Sequence, residues 1–180
     1  MILREQAAFS PFEFDRLKAI ETVLYVARKA PIPDRFHVCK IIYFADKYHL
    51  TNYGRFIFGD HYAAMKNGPV PSGAYDIIKA AGDGKIPELR TDDLDVIALR
   101  DADAGVFSES DMEALDNSIA QYGNEPFNRL SLMSHDDAWN ITTEKGRLVE
   151  DGTSIPIEFT RIAGMMQHGD ALLKYVEEYY

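Results

Sequence analysis

The 180 residues include 46% hydrophobic and 12% aromatic side chains, enough for a substantial core and too many for a disordered or fibrous chain. Lys and Arg number 19 against 29 Asp and Glu, a formal charge of -10. Phosphate neutralisation needs a basic surface, so this balance argues against a nucleic-acid partner and suits a basic protein partner. The first six residues lack the basic-then-apolar pattern of a secretory leader, and no stretch is long and apolar enough to cross a bilayer, so a soluble cytoplasmic protein with no membrane partner is expected. A single cysteine, Cys39, rules out an intramolecular disulfide framework and fits a reducing compartment.

In chain order, Ser10-Pro11-Phe12-Glu13 has a capping-box pattern with proline at the first helical position, and Phe14, Leu17, Ile20 and Leu24 follow at helical spacing. This predicts a helix over 11–29, broken by Pro31 and Pro33. Asp34 can cap a second helix with Val38, Ile41, Ile42, Ala45 and Tyr48 on its buried stripe, ending near Gly54. The short aromatic runs 55–58 and 62–65, joined by Gly59-Asp60, suggest a hairpin. Gly68-Pro69-Val70-Pro71 then turns the chain, because each proline fixes its own φ and pushes the residue before it into extended backbone. Ser72 is placed to cap a third helix, which Gly82 and Gly84 stop.

A strand is expected over 94–100, followed by a turn at Gly105-Val106-Phe107. Ser110-Asp111-Met112-Glu113 opens a helix with Met112, Leu115, Ile119 and Tyr122 on one face. Pro126 starts a short helix to Leu132, Ser134 caps another carrying His135 and Trp139, and helical stretches near 157–166 and 170–179 finish the chain. The expected product is a mainly helical α+β single domain over 1–180, with 1–10 a short N-terminal extension and a small antiparallel β-sheet against the helices.

Candidates for chemistry are sparse. The glycines of 81–86 fail as a phosphate loop, since Lys79 falls where the first glycine belongs and Ile86 replaces the metal-binding hydroxyl. His37 is two residues from Cys39 and points elsewhere on a helix, which leaves Cys39 a small core residue. The five histidines show no HExxH or clustered His/Cys spacing, so no metal or cofactor is expected. Asp46, His49, His61 and His135 could form an acid/base set only if the fold brought them together, and a small hydrolase or metal-dependent enzyme built on them is the alternative reading. His135 and Trp139, one helical turn apart, can stack.

Between residues 91 and 116 nine acids face only Arg100, and within them Asp92, Asp93, Asp95, Asp101 and Asp103 form a patch able to steer a basic partner. The bland reading is a solvated loop plus the acidic first turn of a helix. The C-terminal stripe of Leu172, Leu173, Val176, Tyr179 and Tyr180 packs on this chain or on a second one, which leaves the oligomeric state open.

Three blocks look familiar together: the Lys40-Ile41-Ile42-Tyr43-Phe44-Ala45-Asp46 helix, the segment from Gly59-Asp60-His61-Tyr62-Ala63-Ala64 to Gly68-Pro69-Val70-Pro71, and Ser134-His135 to Trp139. Their order and spacing resemble the SocA-like antitoxin family, also called the Panacea domain, whose members are often phage-associated. The resemblance runs over roughly 14–159, and its most specific part is Tyr62-Ala63-Ala64 followed by Gly68-Pro69-Val70-Pro71. It implies a bacterial or prophage-encoded, non-enzymatic antitoxin that neutralises a cognate toxin by direct binding. In the member that named the family the antitoxin also delivers its toxin to an ATP-dependent protease, so the resemblance extends to such a proteolytic adaptor role. Signature positions carried over as structural are Tyr43, Asp46, Gly59, Asp60, Tyr62, Ala64, Gly68, Pro69, Val70, Pro71, His135 and Trp139. A phage structural or host-interaction protein is a third possibility.

Overall fold

A computed structural model describes residues 10–180, and the expected extension at 1–10 therefore lies, except for Ser10, outside the described residues. The architecture is α+β and mainly helical, with eight helices, a three-stranded antiparallel sheet and a separate two-stranded one among the described residues. No described helix is long and apolar enough to cross a membrane.

The first helix starts later than the Ser10 pattern suggests: α1 spans Arg16–Lys29, capped by Asp15, whose carboxylate accepts from the Lys18 N–H at 2.9 Å. Residues 11–14 are not helical because Phe12 is drawn into an aromatic cluster with Phe56 and Phe159, while the Asp15 N–H bonds the Phe58 carbonyl at 2.9 Å. Long-range burial overrides a local capping signal there. The second helix, α2 (Arg35–Tyr53), matches its expected caps, with Asp34 accepting from the His37 N–H at 2.7 Å and Gly54 in the left-handed region at φ 74.

Helix α2 is the axis of the molecule. Its Val38, Cys39, Ile41, Ile42 and Ala45 join one core with α1, and its Tyr43, Phe44 and Leu50 join a second. A helix packed on nearly every side must also bury its charged residues, and Lys40 and Asp46 are both within 1% of complete burial.

The hairpin differs from the expected one. Strand β1 (Tyr62–Met65) pairs not with residues 55–58 but with β2 (Gly68–Pro71), across a Lys66-Asn67 turn and in the register Tyr62↔Pro71 to Met65↔Gly68. The Gly-Pro-Val-Pro corner is thus itself a strand. It lies at the edge of the sheet order β2-β1-β5, where prolines lacking an N–H are tolerated. The other neighbour of β1 is β5 (Ile155–Ile157), where a helix start was expected.

Helix α3 (Ser72–Gly82) has no side-chain cap from Ser72. The carboxylate of Asp60 takes that role across the corner, accepting from the Gly73 N–H at 2.7 Å and the Ala74 N–H at 2.9 Å. The strand expected at 94–100 is shorter, β4 (Asp95–Ala98), and pairs with an unforeseen β3 (Leu89–Asp92). Asp93 turns between them at φ 52, a conformation Asp tolerates better than most residues. The expected turn beyond is a short 3-10 segment at Ala104–Val106.

Helix α4 (Glu109–Tyr122) opens two residues earlier than expected, on Ser108, which forms a reciprocal capping box with Asp111. The chain continues through α5 (Phe127–Ser134) and α6 (Asp137–Thr143). Asp136 rather than Ser134 caps α6, because its carboxylate accepts from the Trp139 N–H at 3.2 Å and leaves His135 outside the helix. After β5 come α7 (Phe159–Gly164) and α8 (Gly169–Tyr179). Leu172, Leu173 and Val176 of α8 pack on the second core, and the Tyr180 ring meets Phe12 edge-on at 5.0 Å, so the C-terminal stripe packs largely on this chain.

Candidate functional site

Most of the positions expected from the resemblance meet where α2 lies across the β1–β2 hairpin. On one side Asp46 is sealed in the core: one carboxylate oxygen accepts from the Ile57 N–H at 2.7 Å and the other from the Tyr62 hydroxyl at 2.6 Å. Burial pushes this carboxyl up to about 7, against the pull of its two donors. The Tyr43 ring packs on Tyr62 at 5.0 Å and its hydroxyl donates to Asp136 at 2.8 Å. Ala64 is fully buried between the strands' neighbours. Gly59 needs its positive φ of 71, and a Cβ there would run into the Glu13 carbonyl. Asp60, pushed upward by burial, is occupied with the start of α3.

On the other side, six residues earlier on α2, Lys40 reaches under the hairpin. Its ammonium donates to the Pro69 carbonyl at 2.7 Å and lies 5.1 Å from the centroid of the Phe36 ring. Desolvation lowers it to about 7. Lys40 lines a cleft of about 330 Å³ together with Arg35, Phe36, Val70, Tyr75 and Phe127, with Glu150 and Asp151 on the rim. Gly68 makes the close approach possible: at φ 105, a Cβ would lie 3.0 Å from the Lys40 Nζ and overlap the Ser134 Oγ.

His135 and Trp139 do stack, at 3.7 Å and 7°, although His135 ends α5 rather than sharing a helix with Trp139. The indole N–H donates to the Met65 carbonyl at 2.9 Å, which ties α6 to the end of β1. Burial and the nearby Lys40 charge lower the imidazole's pKa, and its Nε2 is buried with no partner among the described residues.

The acid/base candidates stay separate. His49 bonds the Arg55 carbonyl and the Ser110 hydroxyl, both at 2.9 Å, His61 is exposed, and neither hydrogen-bonds Asp46 or His135. Among the described residues no group of three or more His, Cys, Asp or Glu could hold a metal ion. Cys39 is buried and its thiol is pushed up to about 12, which leaves it an inert core residue.

The acidic run divides. Asp111 is buried in an ion cluster with Lys18 at 2.5 Å and Arg55 at 3.0 Å; burial would raise its pKa, but Lys18 and the Ser108 N–H and hydroxyl hold it low. Asp116 pairs with Lys29, and Glu113 accepts from Tyr48 and Tyr53. Asp92, Asp93, Asp95, Asp101 and Asp103 remain exposed, although Arg28 approaches Asp101 at 3.0 Å.

Sequence reasoning passed over Lys40, Arg35, Phe36 and Phe127. One signal was available: Lys40 interrupts the run Val38 to Ala45, in which every other residue is apolar and the helix packs on nearly all sides.

The fold and site together define a helical α+β protein whose central helix pins a proline-edged hairpin beside an apolar, cation-floored cleft. A family model described as "Antitoxin SocA-like, Panacea domain" matches residues 38–140, from α2 to α6. The chain belongs to this family. No curated protein and no solved structure matches it.

Proposed function

We propose that this protein is an antitoxin-like interaction module that neutralises a cognate toxin by direct binding and performs no catalysis of its own. Membership of the SocA-like family supports a role of the toxin–antitoxin type, and the match over 38–140 is the observation that carries the reading. The formal charge of -10 and the five exposed aspartates suit a basic partner, for which they would raise the association rate more than the affinity. The reading implies a cytoplasmic location beside the toxin.

Co-expression of the neighbouring open reading frame with and without this gene tests the reading. The neighbour is expected to arrest growth alone and to be tolerated in the pair; a neighbour harmless alone, or toxic in both cases, overturns it. Reversing Asp101 and Asp103 to lysine should slow association with the purified toxin at low salt by roughly several-fold, and by less as salt rises. The adaptor role is the finer part of the proposal: toxin half-life should shorten when this protein and an ATP-dependent protease are both present, and a half-life indifferent to this protein removes it.

A further inference from the structure

The Lys40 cleft has features that holding the hairpin does not require. An ammonium carries three donors, and Lys40, only 1% exposed, has one acceptor among the described residues, the Pro69 carbonyl. Arg35 lines the same cavity, and its Nε is buried with no partner among the described residues, while that guanidinium's Nη2 donates to the Asp93 carbonyl at 2.8 Å. Two cations with unused donors therefore line one cavity. The other charged groups around it are largely engaged: Asp34 accepts from the His37 ring at 2.9 Å, and Lys66 pairs with Asp151 at 2.9 Å. Glu150 is left as the opposing charge on the rim. The remaining wall is largely apolar, with the Phe36 and Phe127 rings 4.2 Å apart and tilted by 41°, and the volume of about 330 Å³ is that of a small-ligand site.

We propose that this cleft binds a small carboxylic acid with an apolar body, the carboxylate accepting from Lys40 and Arg35 and the body lying against Phe36, Val70, Tyr75 and Phe127. A carboxylate supplies the acceptor lone pairs that both cations lack, and charge-assisted bonds of this kind are about twice as strong as neutral ones. Glu150 disfavours a doubly charged phosphate ester at the same rim. The inference is independent of the toxin reading, because either can fail while the other holds.

The test uses the full chain, labelled with nitrogen-15, titrated at about pH 6.5 so that Lys40 is charged. The probes are 3-phenylpropionate and its neutral isostere 3-phenylpropanamide. The acid is expected to shift the backbone signals of Phe36 and Tyr75 and to bind roughly tenfold tighter than the amide. Lys40→Met should bring the acid down to the level of the amide. Equal binding of the two probes, or no shift at the cleft with either, overturns the proposal on the unaltered protein alone. If Lys40→Met does not fold, Arg35→Met reports instead, and an undiminished preference for the acid in whichever variant folds overturns it.

Discussion

Helix α2 buries two charges six residues apart, Lys40 and Asp46, and both hold the same hairpin, yet they are built in opposite ways. Asp46 grips β1 through Tyr62 and the 55–58 segment through Ile57, with each oxygen engaged and solvent excluded. Lys40 grips β2 through one carbonyl and otherwise faces a cavity. A fully satisfied buried group fixes a unique packing, whereas one with spare donors leaves chemistry available. The Asp46 side is therefore spent on fixing the hairpin, and the Lys40 side is the half for which we propose a ligand.

The sharpest way to break this distinction is Asp46→Ala, which strands the Ile57 N–H and the Tyr62 hydroxyl in a dry core. A loss of about 3 kcal/mol is expected in urea unfolding; a loss below about 1 kcal/mol would mean that Asp46 is not the fixed point of the hairpin. The pH dependence carries a definite sign. The folded pKa of about 7 lies above the reference value of 3.8, so the native state binds the proton more tightly. That contribution is fully present below about pH 4, declines as pH rises, and is gone above about pH 7. Asp111 acts in the opposite sense, since its lowered pKa adds stability that disappears on acidification. The comparison to make is accordingly wild type against Asp46→Asn, with wild-type stability falling relative to the variant's from about pH 4.5 to about pH 7.5. A constant difference across that range would show that Asp46 does not titrate there.

Gly68→Ala should come next in size. The φ of 105 and the overlap with Ser134 Oγ predict a loss of about 2 kcal/mol, seen as a lowered urea midpoint. It also separates the two halves, since it should lift β2 from Lys40 while leaving the Tyr62 hydroxyl on Asp46. A drop in the Gly68→Ala midpoint that is not accompanied by altered signals around Phe36 would place the strain elsewhere. Tyr62→Phe is the milder counterpart on the Asp46 side, removing one hydrogen bond to the carboxylate at about 1.5 kcal/mol.

The unequal legibility of the two halves in the sequence has a physical cause. Local signals were sound for α2, where Asp34 and Gly54 cap a run whose period is helical, whereas His135 and Trp139 stack without sharing the helix that their spacing implied. They failed wherever a distant residue supplied the missing partner. Gly59-Asp60 reads as a hairpin turn, yet the Asp60 carboxylate is committed to the start of α3 and the turn is Lys66-Asn67. Ser10 offers a cap that loses to the burial of Phe12 beside Phe159. The partner of β1 on its inner edge, Ile155–Ile157, lies so far along the chain that no local pattern announces it. The cleft was hidden for the same reason, because Phe36 and Phe127 meet only after α5 folds back onto α2.

Lys40→Met has the smallest expected effect on stability and the most to say about the comparison. Removing one partner of a buried polar contact usually costs stability, but methionine also relieves the desolvation of an ammonium held against its nature, and the two terms oppose each other. Near pH 7 the net change should lie within about 1 kcal/mol of zero, in contrast to Asp46→Ala. The pH profile then identifies the residue. The folded pKa of about 7 lies below the reference value of 10.5, so the unfolded chain binds the proton more tightly and wild-type stability gains from Lys40 as pH rises from about 7 to about 10. The methionine variant lacks that gain, so its stability relative to wild type should be greatest near pH 6.5 and should fall steadily toward pH 10. A difference that stays constant with pH would mean that Lys40 keeps an ordinary pKa beneath the hairpin, and the contrast with Asp46 would then rest on hydrogen-bond satisfaction alone.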